Sequence, residues 1–338
     1  MNLLFLAPRY YPHIGGVEYV IKSIAERLAK VGHEVTVLVG ESNIKRSGVE
    51  EINCVRVIRW PIFANIYHIP KDRKNLGRLV YDLVRDTDIV HAHSAHDILP
   101  IQVALDIKRI SPEKKLIVSL YYHGSGHSFT SNLLWKLYWR SEVSKVIRLA
   151  NKVHAISSRE AELISSHYPY AKSKLVIIPS GVDEDVLQYR WIGWESNYII
   201  YAGRIEKYKR LELAIKIAKK IGLKLIIVGE GAYRKNLEKY IKERYPELVR
   251  FYQPQPRGKY LEMLSKARYA INPSRHEAFS IFVAEALSMG TPAIISREIA
   301  ENLRVEVDPF NDELFIAKRA KIETWNNVLT RYTEKLYR

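Results

Sequence analysis

Two glutamates, Glu277 and Glu285, stand eight residues apart within the stretch 271–288, INPSRHEAFSIFVAEALS. Phe279, Ile281, Phe282 and Val283 lie between them, so the pattern predicts a mostly buried helix opening at Glu277. On such a helix the carboxylates project about 80° apart and sit roughly 12 Å apart along the axis. Buried carboxylates are costly without partners, and the free N–H groups of a first helical turn can hold an anion. Carboxylates that accept hydroxyls beside a phosphate cradle suggest a nucleotide-sugar site. A surface helix with two exposed glutamates is the plainer alternative. Upstream, Arg204 and Lys209 share one loop. A guanidinium and an ammonium there would neutralise a diphosphate, unless both are solvated surface charges.

The elements that must position these groups alternate along the chain. An apolar strand at residues 3–7 leads through a loop ending in Gly15–Gly16 into an amphipathic helix, with Val20, Ile21, Ile24, Leu28 and Val31 at helical spacing. A strand, a glycine turn and a helix start bring backbone close to a ligand, or make a plain tight turn. Further strands read at 35–39, 55–59, 89–92, 116–120, 153–156 and 175–178, which argues for a parallel sheet covered on both faces. The alternation pauses near residues 179–194 and restarts with strands at 198–202, 225–228, 248–252, 268–271 and 292–295. Two α/β domains are therefore expected, 1–190 and 191–322, followed by an amphipathic segment at 323–338. Ligands bind such sheets beyond the carboxyl ends of strands, where His91, His93, His96 and His123 fall. No carboxylate completes a metal set with these histidines, so no metal site is expected. Asp86–Thr87–Asp88 precedes a strand and reads as a helix-to-strand turn.

Composition narrows the class. The single cysteine, Cys54, excludes an internal disulfide and a cysteine-based zinc cluster, and reads as a small core residue. No segment reaches the ~18–20 apolar residues of a membrane span, and the N-terminus lacks the basic region of a signal peptide. A cytoplasmic protein is expected. The net charge of +16 is spread over both halves and favours anionic partners, but no motif for specific nucleic-acid recognition is present. Many Ile, Tyr, Lys and Arg with one Cys and three Met suit a heat-adapted protein. Aromatic and basic residues interleave over 129–149, and the loop 60–70 is unusually apolar. The first leaves open a peripheral contact with anionic membrane beside the ordinary reading of a core-facing helix, and the loop suits a substrate-facing or a packed surface role.

Taken in order, several motifs resemble the retaining glycosyltransferases of family 4. They are the Gly15–Gly16 loop, DIVHAH (88–93), YYHGSG (121–126), HAISS (154–158), IPSGVD (178–183), AGRIEKYK (202–209), VGEG (228–231) and PSRHEAFSIFVAEAL (273–287). The resemblance implies the GT-B fold: two Rossmann-like doubly wound domains facing a cleft, with the C-terminal helix crossing back to the first. It implies sugar transfer from a nucleotide-diphosphate donor to a carbohydrate or lipid-linked hydroxyl acceptor, without metal or other cofactor. Carried over by residue, Glu277 would hold donor-sugar hydroxyls and Glu285 the ribose hydroxyls. The amides of Phe279, Ser280 and Ile281 would cradle the diphosphate, Arg204 and Lys209 would stabilise the leaving group, and Gly15 and Gly16 would close over the phosphates. His123 would lie beside the anomeric centre. Three departures stand out: Ala278 and Ser280 replace glycines, Arg210 replaces the glycine after the lysine, and residues 296–307 lack a glycine-rich segment. A nucleotide-sugar epimerase, a sugar phosphorylase and a nucleotide-sugar binding protein without turnover are the rival readings.

Overall fold

A computed structural model describes residues 1–13, 15–63, 67–122, 139–275 and 277–338. The chain divides into two compact units, Met1–Pro179 with Asn326–Arg338, and Ser180–Trp325.

The first unit is built on eight strands: β1 (Asn2–Ala7), β2 (Glu34–Glu41), β3 (Gly48–Ile52), β4 (Val55–Pro61), β5 (Ile89–His93), β6 (Lys115–Ser119), β7 (Lys152–Ala155) and β8 (Leu175–Ile177), in the order β3-β4-β2-β1-β5-β6-β7-β8. All neighbours are parallel except β3 with β4. The runs LLFLA and IVHAH are wholly buried, as strands covered on both faces must be. Helices α1 (Gly16–Lys30), α2 (Arg73–Arg85), α3 (Ile98–Ile110), α4 (Arg140–Leu149) and α5 (Ser158–His167) supply the cover. Asp86 follows the last turn of α2, and the Asn2 amide donates to the Asp88 carboxylate at 2.7 Å, so Asp86–Asp88 is a helix-to-strand turn. Of the aromatic-basic stretch, 129–138 lie outside the described residues, and α4 turns Val143, Val146 and Ile147 into the core.

At one edge a strand goes unread and one expectation fails. Strand β3, GVEEI, is almost entirely exposed and carries no apolar alternation to announce it. It is joined to β4 by a turn in which Asn53 and Cys54 both take left-handed backbone, φ +49° and +65°. Cys54 is therefore exposed on a hairpin, not a core residue.

The second unit carries seven strands: β9 (Tyr198–Ala202), β10 (Lys224–Val228), β11 (Val249–Tyr252), β12 (Tyr269–Asn272), β13 (Ala293–Ser296), β14 (Val307–Pro309) and β15 (Leu314–Ala317), in the order β11-β10-β9-β12-β13-β15-β14. The last two are antiparallel additions that the sequence reading missed. Its helices are α6 (Leu211–Lys220), α7 (Arg234–Arg244), α8 (Arg257–Ser265), α9 (Ile281–Met289) and α10 (Arg297–Leu303). The strand order reverses at β9, which lies between β10 and β12. Loops leaving β9 and β12 thus flank a switch point, where α/β sheets bind ligands.

The division falls after Pro179, not at 190, because Val182 and Val186 are buried in the second core. Val182 also pairs with the end of that unit: its amide donates to Glu323 O at 3.1 Å, and Trp325 N donates to its carbonyl at 3.0 Å. A final helix, α11 (Trp325–Tyr332), continues to Tyr337 and buries Tyr332, Leu336 and Tyr337. Among the described residues no helix is long and apolar enough to cross a membrane.

Candidate functional site

At the switch point the loop after β9 is shaped by glycines. Gly203 takes φ +149°, and a Cβ on Gly229 would lie 2.1 Å from its carbonyl oxygen. A Cβ on Gly231 would lie 2.3 Å from Ile205 O. Only glycine lets the loops after β9 and β10 interlock, with Gly203 N donating to Val228 O at 3.0 Å and Ile205 N to Glu230 O at 2.7 Å. This brings Lys209 inward: its side chain is only 11 % exposed, and its ammonium pairs with the Glu277 carboxylate. The ammonium also stands 4.8 Å from the ring centroid of Tyr208. Arg204 stays exposed on the same loop, its Nη2 donating to the Tyr208 hydroxyl at 3.4 Å.

Glu277 is not the start of the helix. It lies in the loop between β12 and α9, so the two glutamates do not share one helical face. The breaker residue Asn272 explains the delay. Its side chain accepts from Ser274 N at 3.2 Å and donates to Ser280 Oγ at 3.0 Å and to Glu277 Oε1 at 3.3 Å. It thereby closes the loop at both ends and leaves Ser280 as the residue preceding the helix. With the Ser280 hydroxyl held by Asn272, no side chain caps α9. The first-turn N–H groups of α9 have no intrahelical partners, the arrangement that receives anions. Phe279, Ser280 and Ile281 therefore span that helix start.

Glu285 belongs to a second charged cluster. It is 2 % exposed, its Oε2 accepts from the Tyr260 hydroxyl at 2.5 Å, and its Oε1 pairs with Arg257. Arg257 in turn grips Asp185 with two hydrogen bonds of 3.0 and 2.9 Å. Burial pushes the Glu285 carboxyl above its ordinary range in spite of the opposing Arg257 and Tyr260. Sequence reasoning missed Arg257, Asp185 and Tyr260, whose separation along the chain carries no periodic signal. It also missed Glu298 and Asn302, which touch the backbone of Glu277: Glu277 N donates to Glu298 Oε1 at 3.3 Å and Asn302 Nδ2 donates to Glu277 O at 2.5 Å.

In the first unit, Gly15 and Gly16 open α1, with Gly15 extended at φ −177°. The Glu18 carboxylate sits 2.2 Å from where a Cβ on Gly15 would be, so glycine there admits the first-turn acid. His91 and His93 are wholly buried beneath the C-terminal segment, their rings 4.0 Å apart. His123 lies outside the described residues.

Residues 14–186 match the family described as Glycosyltransferase Family 4, and residues 192–335 match Glycosyl transferases group 1. An uncharacterised glycosyltransferase of Methanocaldococcus jannaschii is 27 % identical over 328 residues, covering 88 % of this chain and 80 % of its own length. The GDP-mannose:cellobiosyl-diphosphopolyprenol alpha-mannosyltransferase of Xanthomonas oryzae pv. oryzae is 24 % identical, covering 88 % of this chain and 78 % of its own. Among solved structures, sucrose-phosphate synthase from Thermosynechococcus elongatus superposes with a TM-score of 0.70 at 16 % identity, covering 99 % and 90 %. Two Rossmann-like units of the GT-B fold and two consecutive family matches place the chain in glycosyltransferase family 4, among the group 1 glycosyl transferases, as a glycosyltransferase.

Proposed function

We propose that this protein is a retaining, metal-independent glycosyltransferase that moves a sugar from a nucleotide-diphosphate donor to a hydroxyl acceptor. The observation that carries the reading is the buried Lys209–Glu277 pair beside the uncapped start of α9. In this scheme the donor's diphosphate lies on the amides of Phe279, Ser280 and Ile281, with Lys209 and Arg204 countering its charge. Glu277 takes the hydroxyls of the transferred sugar. Glu285 takes the ribose hydroxyls: each of its oxygens has one protein partner and keeps lone-pair capacity for another. Gly15, Gly16 and His123 complete the donor contacts on the resemblance alone.

The acceptor oxygen attacks the anomeric carbon on the face from which the diphosphate leaves. The carbon–oxygen bond to the phosphate breaks, its electron pair stays on the nucleoside diphosphate, and the acceptor's proton passes to that leaving group. Configuration is kept without a protein nucleophile. Two cationic side chains and a helix start supply the charge stabilisation that a divalent ion gives in other transferases. No cofactor beyond the nucleotide sugar is needed.

GDP-mannose is the first donor to try, on the strength of the Xanthomonas relative's name. That name, with the net charge of +16, also supports a lipid-linked acceptor reached from the cytoplasmic side of an anionic membrane. The test is donor turnover with a panel of GDP-, UDP- and ADP-sugars, with and without chelator. Glu277→Ala is expected to abolish transfer with melting near wild type. Full activity in that variant would sink the assignment, and strict Mg²⁺ or Mn²⁺ dependence would sink the metal-free step.

A further inference from the structure

The family resemblance expects a glycine-rich segment after β13, and this chain has the helix α10 instead. Glu298 and Asn302 lie four residues apart on α10, hence on one helical face. Both side chains reach the backbone of Glu277. Glu298 Oε1 accepts the Glu277 amide at 3.3 Å, and Asn302 Nδ2 donates to the Glu277 carbonyl at 2.5 Å. Both main-chain polar groups of Glu277 are thus held by one rigid element. Asn302 is 6 % exposed, so its bond is shielded from competing water.

We infer that Glu298 and Asn302 are positioning residues for donor binding: α10 grips the backbone of Glu277 so that its carboxylate stands at Lys209. A loop outside regular structure leaves each amide and carbonyl to be satisfied separately. Two bonds to one residue fix its Cα and the direction of its side chain. Misplacement of a reacting or substrate-holding group by about 1 Å costs on the order of 100-fold in rate. The inference rests on the proposed role of Glu277.

The test uses the whole protein with GDP-mannose and UDP-glucose as donor probes, and amide hydrogen exchange as a readout that needs no ligand. Glu298→Ala and Asn302→Ala should each lower kcat/KM by roughly 10- to 100-fold, mainly through the donor KM. Glu298→Gln keeps an acceptor oxygen and should stay within about threefold of wild type. In Glu298→Ala the Glu277 amide should exchange at least about tenfold faster while the amides of α9 keep their protection. Unchanged exchange at Glu277 in Glu298→Ala overturns the grip, whatever the activity. Equal impairment in the Gln and Ala variants also overturns it, because charge and not hydrogen bonding would then be the requirement. Activity surviving in Glu277→Ala defeats the donor-site reading instead, and the exchange result still decides whether α10 holds the loop.

Discussion

Acidification should loosen the first unit, and the size of the effect follows from three buried histidines. His91, His93 and His154 are each 0 % exposed. His154 Nε2 donates to Ile178 O at 2.8 Å, so its Nδ1 must accept from Ser119 Oγ at 2.7 Å. Ser119 Oγ then accepts from His91 Nε2 at 2.8 Å, and His91 Nδ1 accepts from Tyr337 at 2.9 Å. Every ring in this chain of bonds is neutral, and an added proton would set donor against donor. Burial lowers all three groups: His91 well below its usual range, His93 to about 3 and His154 to about 4. Because the unfolded chain takes up these protons near pH 6.5 and the fold does not, stability present above that pH is lost as pH falls towards the folded values. Each histidine contributes about 1.4 kcal/mol per pH unit in that window, so about 6 kcal/mol together at pH 5. Glu160 opposes them. Burial raises its carboxyl to about 7 although it accepts from the Tyr122 and Ile156 amides. The fold therefore takes up that proton before the unfolded chain does, which returns about 2 kcal/mol over the same window. The histidines win, and the net loss from pH 7.5 to 5 is on the order of 3–4 kcal/mol. Urea unfolding followed by circular dichroism at pH 7.5, 6.5, 5.5 and 5.0 measures it. His93→Gln should shrink the pH dependence by about 2 kcal/mol. Stability at pH 5 equal to or above that at pH 7.5 would refute the reasoning.

Two further outcomes test packing and charge. Gly229→Ala places a Cβ 2.1 Å from Gly203 O at φ +140°, so thermal unfolding should reveal a loss above about 2 kcal/mol; an unmoved Tm contradicts the interlocked loops. Arg257→Met strips Glu285 of its counter-charge, a change that costs about 3–5 kcal/mol for a fully buried pair. Since Arg257 is 35 % exposed, solvent screening reduces this to about 2 kcal/mol. The Glu285 carboxyl is already raised and would rise further, so the loss should be larger at pH 7.5 than at pH 5. A pH-independent loss in urea titrations would mean that Glu285 is not the group left unpaired.

The sheet, its helices and the two-unit plan were legible because buried parallel strands such as LLFLA are continuous apolar runs with nothing else to be. Edge elements were not. Strand β3 is polar and β14 exposed, so neither carries the burial pattern from which strands are read. At the site, spacing alone misled. The run from Glu277 to Val283 has helical periodicity, but the Asn272 side chain reaches both Ser274 and Ser280 and keeps the intervening backbone out of the helix. A hydrogen bond from one side chain to two points of a loop has no periodic signature. Arg257 and Asp185 were invisible for the same reason, being 72 residues apart in sequence and 2.9 Å apart in space.

Four of the residues that depart from the family pattern converge. Arg210 stands where a glycine is usual, and its backbone is left-handed at φ +56°, ψ 41°. That conformation costs a side-chain-bearing residue about 1–2 kcal/mol and glycine almost nothing, which accounts for the usual glycine. Here the guanidinium reaches Pro273 O at 3.5 Å and pairs with Glu313, tying down the start of the Glu277 loop. Glu298 and Asn302, from the segment that lacks its glycines, hold the middle of that loop. Ser280, also in place of a glycine, is bound by Asn272 at the loop's end. Four side chains thus fix a stretch for which glycines would leave the backbone freer, and each acts on the chain that carries Glu277. Such a loop is set before any donor arrives, so less ordering entropy is lost on binding.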